Sequence, residues 1–462
     1  MSLSRRELLS NVVAGLASVP ANSLLADRSA PDETSLFSLT GTAREVGSRF
    51  GSINRDDVRK HVADVMAGWR KRGLSNEQAV LRSKPFRRFA ERFGPHWLEE
   101  ADACAAAAET PVDHYIAYLA GKYRSLFFTE DCTSFAAAGD ATADGAAIFH
   151  KNRDNARRAQ STYHKRITDA AGAAGFFAVG DTSDMGLMMM VNDRGLAGSA
   201  DMGGLPETRP RGDGVMNPYI LRLIAERAES CQQALDIIQQ TITDGWYAGG
   251  KTSGTHWLFA DKFGTILRVA QNSVQEKHWF HRDRSVFLAR EGTESSRILK
   301  AAHGRLTVRH FHEAARSRDL CFGSSISALT VRIDPTSAIA GATVWTALPA
   351  WSPFLPLFPI AGGVPLAIAD GTCFDIGYRL LKFNGGPQRA AKNLDFAEKF
   401  RVSRREFQDR LYTEAAQVQK QFRRLPNNAP DPRLAKLASG TSLEAWQQYR
   451  SWNQQVLSEE AS

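Results

Sequence analysis

The sequence predicts an α+β fold in which antiparallel β-hairpins form layered sheets and helices flank them. Three observations support this prediction: helical hydrophobic spacing from Arg55 to Tyr123, hairpin patterns in the middle of the chain, and helical, charged sequence from about Tyr378 onward. Because one block of helices separates the hairpins and does not alternate regularly with them, parallel βαβ units are disfavoured. The chain has 462 residues, 43% of them hydrophobic, so it can bury a sizeable core.

The N-terminus carries the features of an export signal. Arg5 and Arg6 precede a mildly apolar run over residues 12–19, and small residues follow this run. The arrangement is typical of a bacterial twin-arginine signal, although two arginines can also fall together by chance. We therefore predict a signal peptide over 1–26 and a periplasmic or otherwise exported protein.

The charge distribution disfavours nucleic acid as a partner. The net charge is +8, from 58 basic and 50 acidic residues, but the basic residues are scattered and form no tail or stripe. Such a surface favours an enzyme that meets anionic substrates or envelopes. No other run reaches the roughly 18 apolar residues that a membrane crossing needs, so we expect no stable membrane span.

We predict five segments along the chain from composition and hydrophobic spacing. They are the signal at 1–26, a Ser/Thr/Asp-rich linker at 27–54, a helical region at 55–131, a β-rich core at 132–377 and a helical C-terminal extension at 378–462.

The first helical region is predicted from residues that recur on one face of a helix, such as Val58, Val62 and Met66. Pro111 stands where the first turn of a later helix tolerates proline. In the core, each hairpin combines two apolar runs with a turn between them. The predicted strand pairs are 132–138 with 147–150, 186–191 with a strand that starts at 196, and 256–260 with 265–269, and a helical block lies at 216–242.

Several motifs of known chemistry are absent or stand in the wrong context. Residues 245–252 match G-x-x-x-x-G-K-[ST], but a helix is predicted before them and a strand after them, whereas a phosphate-binding loop joins a strand to a helix. This order disfavours nucleotide binding. G-x-S-x-G and H-E-x-x-H do not occur. The five cysteines include no C-x-x-C and no paired histidines nearby, so a zinc site is not expected.

Cys132 stands at the junction between the helical region and the first strand. A cysteine in this position can become an N-terminal nucleophile, because cleavage of the preceding peptide bond frees an α-amino group with a pKa of about 7.7–8.0. That amine can act as the general base for the thiol. Composition alone favours the other interpretation, a buried structural cysteine.

The residues around Cys132 resemble a known family. C-T-S-F-A at 132–136, D-G at 144–145 and H-K-N-R-D at 150–154 are similar to the opening of the N-terminal nucleophile (Ntn) hydrolases that include choloylglycine hydrolases and penicillin V acylases. The helical segment 93–112 is most similar to the acyl-coenzyme A:6-aminopenicillanic acid acyltransferase family. The C-terminal third also resembles a related dipeptidase family.

This resemblance implies a four-layer αββα sandwich with a helical pro-region over 55–131 and self-cleavage between Asp131 and Cys132. The two fragments are then expected to stay associated. The Cys132 thiolate would attack the carbonyl of a small-molecule amide or acyl substrate and form a thioester, which water or an amine resolves. This chemistry needs neither a metal nor an organic cofactor.

The resemblance also implies roles for five other residues. Asp154 matches the acid that holds the α-amino group, and Lys151 stands where relatives usually have arginine, so the charge is kept but the fork-shaped contact is lost. Arg297 matches an arginine that supports the nucleophile region, and Asn192 matches a structural turn residue. Arg290 replaces the asparagine that usually helps to form the oxyanion hole; a guanidinium can stabilise an oxyanion, but the exchange puts hydrolysis in doubt.

We therefore predict an exported, autoproteolytic N-terminal-cysteine amidohydrolase or acyltransferase. Two alternatives stay open: a dipeptidase-like hydrolase on the same core, and a catalytically impaired envelope binding protein. The sequence does not decide acyl or amine specificity, because the pocket is built from loops whose packing it does not give.

Overall fold

The computed structural model describes residues 35–125, 132–155, 158–250, 252–287, 291–321, 325–335, 342–383, 394–422 and 431–459. The predicted signal over 1–26, and the residues Asp131 and Arg290, lie outside the described residues.

The N-terminal part consists of two short strands and a set of helices. These are β1 (Leu36–Phe37), β2 (Leu39–Gly41), α1 (Ala43–Ile53), α2 (Arg55–Arg70), α3 (Asn76–Leu81), α4 (Lys84–Phe93), α5 (His96–Ala107) and α6 (Val112–Ser125).

Residues 35–54 differ from the predicted linker, because they form β1, β2 and α1. Thr42 and Glu45 make a reciprocal capping box: Thr42 Oγ1 accepts from Glu45 N at 3.3 Å, and Glu45 Oε2 accepts from Thr42 N at 2.8 Å. Val46 and Phe50 of helix α1 are buried in an apolar cluster of the protein interior. Burial of this apolar face outweighs the linker-like composition of the preceding residues.

The core follows with alternating groups of strands and helices. Its elements are β3 (Thr133–Gly139), β4 (Gly145–Asp154), β5 (Gln160–Ile167), β6 (Phe176–Asp181), β7 (Met189–Asn192), β8 (Leu196–Pro206), α7 (Asn217–Arg227), α8 (Cys231–Thr243), β9 (Ser253–Asp261), β10 (Ile266–Gln271), β11 (Glu276–His281), β12 (Val286–Phe287), α9 (Glu294–Ala301), α10 (Val308–Ala315), β13 (Ser325–Ile333), β14 (Thr343–Ala347), β15 (Leu355–Leu357), a short 3₁₀ helix (Pro359–Ala361), β16 (Val364–Pro365), α11 (Leu366–Ala369) and α12 (Thr372–Phe383).

The three predicted hairpins are present. Strand β3 pairs with β4, β7 with β8, and β9 with β10, all in antiparallel register. The described strands form an eight-stranded sheet in the order β11-β10-β9-β8-β7-β6-β5-β2, a six-stranded sheet in the order β12-β3-β4-β13-β14-β15, and the pair β1-β16. Helices and mostly antiparallel strands together make a mixed α/β fold.

The two large sheets face each other across an apolar cluster. Phe149 and Val331 of the six-stranded sheet belong to the same cluster as Val179 and Leu258 of the eight-stranded sheet. A second cluster covers the other face of the eight-stranded sheet, where α1, α7 and α8 pack. Helix α10 packs on the other face of the six-stranded sheet, against β4 and β13.

The C-terminal extension contains two long helices, α13 (Leu394–Phe422) and α14 (Pro432–Glu459). Gln408 on α13 holds the backbone of Phe354: its Oε1 accepts from Phe354 N at 2.7 Å, and its Nε2 donates to Phe354 O at 3.1 Å. The extension therefore packs on the core. Among the described helices, none has the length and hydropathy to cross a membrane.

A buried ionic network joins the N-terminal helices to the core. Glu100 on α5 accepts a hydrogen bond from Arg222 Nη2 on α7 at 2.5 Å and pairs with Lys165 on β5. Glu226 on α7 accepts from Arg222 Nε and from Trp97 Nε1, both at 2.9 Å. Arg222 is 0% exposed and Glu100 is 1% exposed. Such a network is costly to break, because removal of one partner leaves a buried charge without compensation.

We predict that Arg222→Leu lowers the free energy of unfolding by about 3–5 kcal/mol, because two carboxylates lose their shared buried cation. Urea unfolding measures the change. The control is Arg44→Leu, which removes an ion pair to Asp102 whose side chains are 67% and 49% exposed, and which we expect to cost less than about 1 kcal/mol. Equal losses in the two variants would contradict the prediction.

The same network predicts acid lability. Burial raises the pKa of Glu226, but the Arg222 guanidinium and His96 outweigh burial and lower it from its ordinary 4.5 to about 2. A lowered folded-state pKa stabilises the protein above pH 4.5, and this contribution of about 3 kcal/mol is lost as the pH falls towards 2. We expect Glu226→Gln to be less stable than the wild type at pH 7 and to lose less stability in this acid range. Parallel acid dependences, followed by circular dichroism, would disprove this.

Candidate active site

Three of the five cysteines, Cys104, Cys231 and Cys373, are buried, whereas Cys132 and Cys321 are half-buried. Burial raises the pKa of the Cys104 and Cys321 thiols to about 12. It also raises the pKa of Cys231 and Cys373. Thiols of this kind carry almost no thiolate at neutral pH. Cys132 is half-buried and directly precedes β3, which is the position that the sequence predicts for a nucleophile.

The register of the first hairpin decides which side chains share a face. Ser134 on β3 lies opposite Lys151 on β4. Side chains alternate along a strand, so Arg153 shares the face of Lys151, and an extended chain places Cys132 on the face of Ser134. This face meets the eight-stranded sheet, because both Ser134 and Lys151 contact Asp201 on β8.

A buried polar cluster lies between the sheets at this point. Ser134 Oγ donates to Asp201 Oδ2 at 2.6 Å and lies 2.7 Å from Ser199 Oγ. Lys151 Nζ lies 2.9 Å from Asp201 Oδ1 and donates to two backbone carbonyls at 3.0 and 2.7 Å. Lys151 is 0% exposed and Asp201 is 2% exposed. We call Ser134, Lys151, Ser199 and Asp201 the interlayer cluster.

A second buried charge pair adjoins this cluster. Arg153 Nη1 donates to Asp181 Oδ1 on β6 at 2.6 Å and to Gln160 Oε1 at 3.0 Å. Ser327 Oγ on β13 also donates to Gln160 Oε1, at 2.9 Å. Two cations of β4 are thus each matched by a carboxylate of the opposite sheet.

Asp154 ends β4 and is 2% exposed. Its Oδ1 accepts a hydrogen bond from Ser325 Oγ on β13. The register of β4 against β13 shifts here, between Ser325 and Ser327. The structure therefore brings Lys151 into the interlayer cluster and places Asp154 at the strand end. Its predicted role, holding the α-amino group of Cys132, stays a prediction.

Asn192 and Arg297 are placed differently. Asn192 Nδ2 donates to the carbonyls of Ala225 and Ala228 at 3.0 and 2.6 Å, and its Oδ1 accepts from Leu196 N at 2.9 Å. These contacts are those of a turn residue that ties the β7–β8 hairpin to the end of α7. The side chain of Arg297 is exposed on α9. Its predicted supporting role stays a prediction, and Arg290 lies outside the described residues.

Sequence reasoning missed Asp201, Asp181 and His256. Asp201 lies opposite His256 on β9. Burial and the Arg268 guanidinium lower the pKa of His256, while the Asp201 carboxylate opposes this change. The available signal was the alternation in β8, where polar residues 199 and 201 occupy one face of a strand that is otherwise apolar or glycine.

The Gly-rich segment at 245–252 has the predicted surroundings. Helix α8 precedes it and strand β9 follows it, which is the reverse of a phosphate-binding loop; Lys251 lies outside the described residues. Across the described part of the chain, no group of three or more His, Cys, Asp or Glu side chains is arranged to hold a metal ion.

Comparison with known proteins confirms the family resemblance over part of the core. Residues 141–286 match the family described as acyl-coenzyme A:6-aminopenicillanic acid acyl-transferase. No curated protein matches the chain. The matched region covers β4 to β11 and includes Asn192 and Asp201, but it does not include Cys132 or the predicted pro-region.

Three similar solved structures each align with less than half of this chain. Penicillin V acylase from Agrobacterium tumefaciens aligns with a TM-score of 0.38 and 10% identity, over 49% of this chain and 86% of that chain. A variant of conjugated bile acid hydrolase from Clostridium perfringens gives 0.33 and 10%, over 46% and 88%. The Caenorhabditis elegans ortholog of N-acylethanolamine-hydrolyzing acid amidase gives 0.32 and 11%, over 43% and 92%.

The interlayer cluster predicts strong coupling between Lys151 and Asp201. Lys151→Met and Asp201→Leu each leave one buried charge unpaired, and each should cost about 3–5 kcal/mol of stability. The free energy of unfolding lost by the double variant should be smaller than the two single losses added together, by at least about 2 kcal/mol. Urea unfolding of all four proteins gives this coupling energy.

The control cycle uses Lys60 and Asp64 on α2, an ion pair whose side chains are 58% and 63% exposed. Its coupling energy should stay below about 1 kcal/mol. Additive losses at Lys151 and Asp201 would show that the pair does not act as a unit.

Proposed function

Because residues 141–286 match the acyl-coenzyme A:6-aminopenicillanic acid acyltransferase family, we propose that this chain is an autoproteolytic N-terminal-cysteine amidohydrolase or acyltransferase. The position of Cys132 carries the proposal. It is half-buried at the head of β3, two residues before Ser134, which the interlayer cluster holds in place. In this proposal, the two large sheets and the helices on their outer faces correspond to the four αββα layers of the Ntn hydrolases.

The proposed activation is an intramolecular acyl shift. Cys132 Sγ attacks the carbonyl carbon of Asp131, the C–N bond to Cys132 breaks, and the nitrogen takes up a proton as the free α-amine. Water then hydrolyses the Asp131 thioester. The products are an N-terminal fragment that ends in the Asp131 carboxylate and a second fragment that begins with Cys132, carrying a thiol and an α-amine.

In the catalytic cycle, the α-amine of Cys132 accepts the thiol proton and the thiolate attacks the amide carbonyl of the substrate. The leaving amine takes the proton as the tetrahedral intermediate collapses to a thioester. Water releases the acid, or an acceptor amine takes the acyl group. In this proposal, Asp154 orients the α-amine, Arg297 supports the nucleophile region, and Arg290 offers a positive charge to the oxyanion.

Association of the two fragments is supported by the buried ionic network that joins the N-terminal helices to the core. Glu100 and Trp97 belong to the N-terminal fragment, and Arg222 and Glu226, which they contact, belong to the other. Both carboxylates are buried, so separation would expose apolar surface and break paired charges together. We propose that the enzyme works outside the cytoplasm, after export through the signal at 1–26.

Intact-mass analysis with N-terminal sequencing tests the proposal. The wild type should yield a second chain of 462 − 131 = 331 residues that starts at Cys132, and Cys132→Ala should remain whole. Cys321→Ala is the matched control, since burial raises the pKa of that thiol to about 12 and the variant should still cleave. The cleaved protein should then hydrolyse or transfer acyl groups of small amides.

Two results would contradict the proposal. Cleavage at 131–132 that persists in Cys132→Ala would mean that the thiol is not the nucleophile. A wild type that stays whole and hydrolyses no amide would favour a non-catalytic envelope binding protein, whereas activity restricted to dipeptides would favour the dipeptidase-like alternative.

A further inference from the structure

A basic surface runs from the end of α2 to the end of α4. Residues 70–92 contain eight basic and two acidic residues, so this short segment has a net charge of +6, against +8 for the whole chain. Six of its exposed basic residues form what we call the basic patch: Lys71, Arg72, Arg82, Lys84, Arg88 and Arg92.

Helix α4 aligns half of the patch in a stripe. Lys84, Arg88 and Arg92 are four residues apart in the sequence, so the Cβ atoms of successive cations lie about 6 Å apart along one side of the helix. Phe86 and Phe89 of the same helix are buried, which leaves the charged side in solvent. The expectation that the basic residues form no stripe is therefore wrong for this helix, because helical spacing collects side chains that are separated in the sequence.

The charges of the patch are not neutralised within the fold. Arg87, next to the stripe, pairs with Asp113 at 2.6 Å, but among the described residues no carboxylate forms an ion pair with a cation of the patch. Glu91 is exposed on the same helix and offsets one charge. Cations this close act together, since screening at physiological salt extends over about 8 Å. The patch therefore attracts surfaces that carry several negative charges.

An aromatic ring holds the central cation of the stripe. The Arg88 guanidinium lies over Trp246, 5.5 Å from the ring centre. Trp246 in turn makes edge contacts with Phe89 and Phe93, at centroid distances of 5.8 and 5.5 Å. A stacked guanidinium keeps its charge and has N–H groups at its rim that can donate to phosphate oxygens.

An exposed apolar side chain lies within the patch. Leu81 is the last residue of α3, directly before Arg82, and is 54% exposed. An exposed leucine bordered by cations is typical of surfaces that bind anionic membranes, because the leucine enters the headgroup region while the cations contact lipid phosphates. A single-stranded nucleic acid instead stacks its bases on exposed aromatic rings, whereas Phe86 and Phe89 are buried. The patch therefore favours lipid phosphates over nucleic acid.

We propose that the basic patch binds the surface of a membrane rich in anionic phospholipid, with Leu81 inserted between the headgroups. The contact is peripheral: the stripe cations donate to lipid phosphates, and the apolar side of α4 stays packed in the protein. Because the patch precedes Cys132 in the chain, this inference does not depend on the chemistry proposed for that thiol. It assigns the N-terminal helices a role besides packing on the core.

Co-sedimentation of the purified protein with vesicles tests the proposal. One set of vesicles contains phosphatidylglycerol and phosphatidylethanolamine in equal parts, and the other contains phosphatidylcholine alone. We expect binding to the anionic vesicles and none to the neutral ones, and we expect the bound fraction to fall steeply when NaCl is raised to about 0.5 M. Cys132→Ala should bind as the wild type does, which separates this result from the test of self-cleavage.

Removal of the stripe should weaken binding to anionic vesicles by about 10- to 100-fold, because three cations leave the contact. The variant combines Lys84→Gln, Arg88→Gln and Arg92→Gln. A matched control removes the same total charge from exposed positions on α13 and α14 and should change binding by less than about threefold. The control combines Arg405→Gln, Lys420→Gln and Lys436→Gln.

A second variant tests the apolar part of the contact without any change of charge. Leu81→Ser should weaken binding to anionic vesicles by about 3- to 10-fold and keep the same dependence on salt. Leu437→Ser is its control, because Leu437 is 44% exposed on α14, away from the patch in sequence. Thermal unfolding followed by circular dichroism checks that all variants are folded.

Three results would overturn the proposal. The first is a wild type that does not bind anionic vesicles. The second is an equal loss of binding in the two triple variants, which would mean that net charge alone, and not the patch, governs binding. The third is a short DNA strand that binds more tightly than the vesicles and loses its binding when the stripe is removed, which would make nucleic acid the occupant of the patch.

Discussion

A buried charge pair between the two sheets constrains the rest of the candidate site. Transfer of the Lys151 ammonium out of water costs several kcal/mol, and the Asp201 carboxylate and two backbone carbonyls offset this cost. Because the pair joins β4 to β8, it aligns one sheet with the other. Ser134 donates to the same carboxylate, so the head of β3, and with it Cys132, depends on the same interaction.

The outer face of the eight-stranded sheet has its own ionic contact, between Glu100, Arg222 and Lys165. It connects α5 to α7 and β5, so the N-terminal helices pack as part of the protein and not as a separate leader. Because all three side chains are buried, removal of any one of them leaves the others charged in an apolar environment. Cleavage of the chain at Cys132 would therefore leave these contacts intact.

Local signals predicted the hairpins, because a turn and two alternating apolar runs are close in sequence. They failed for α1, where the Ser/Thr/Asp-rich composition nearby hid the capping box of Thr42 and Glu45. They also failed for Asp201, because its partner Lys151 comes from another sheet. The alternation in β8 is visible in the sequence, but it does not tell which face is the inner one or what lies opposite.

Three cations on the inner faces of the sheets differ in how the fold pairs them. The Lys151 ammonium donates to two backbone carbonyls and lies 2.9 Å from Asp201 Oδ1, contacts that suit a compact point charge. Arg153 has Asp181 and Gln160. Arg268 has a Trp279 ring and no carboxylate among the described residues. Carboxylates of the opposite sheet balance the first two, whereas Arg268 is only partly buried and keeps its charge beside an aromatic ring.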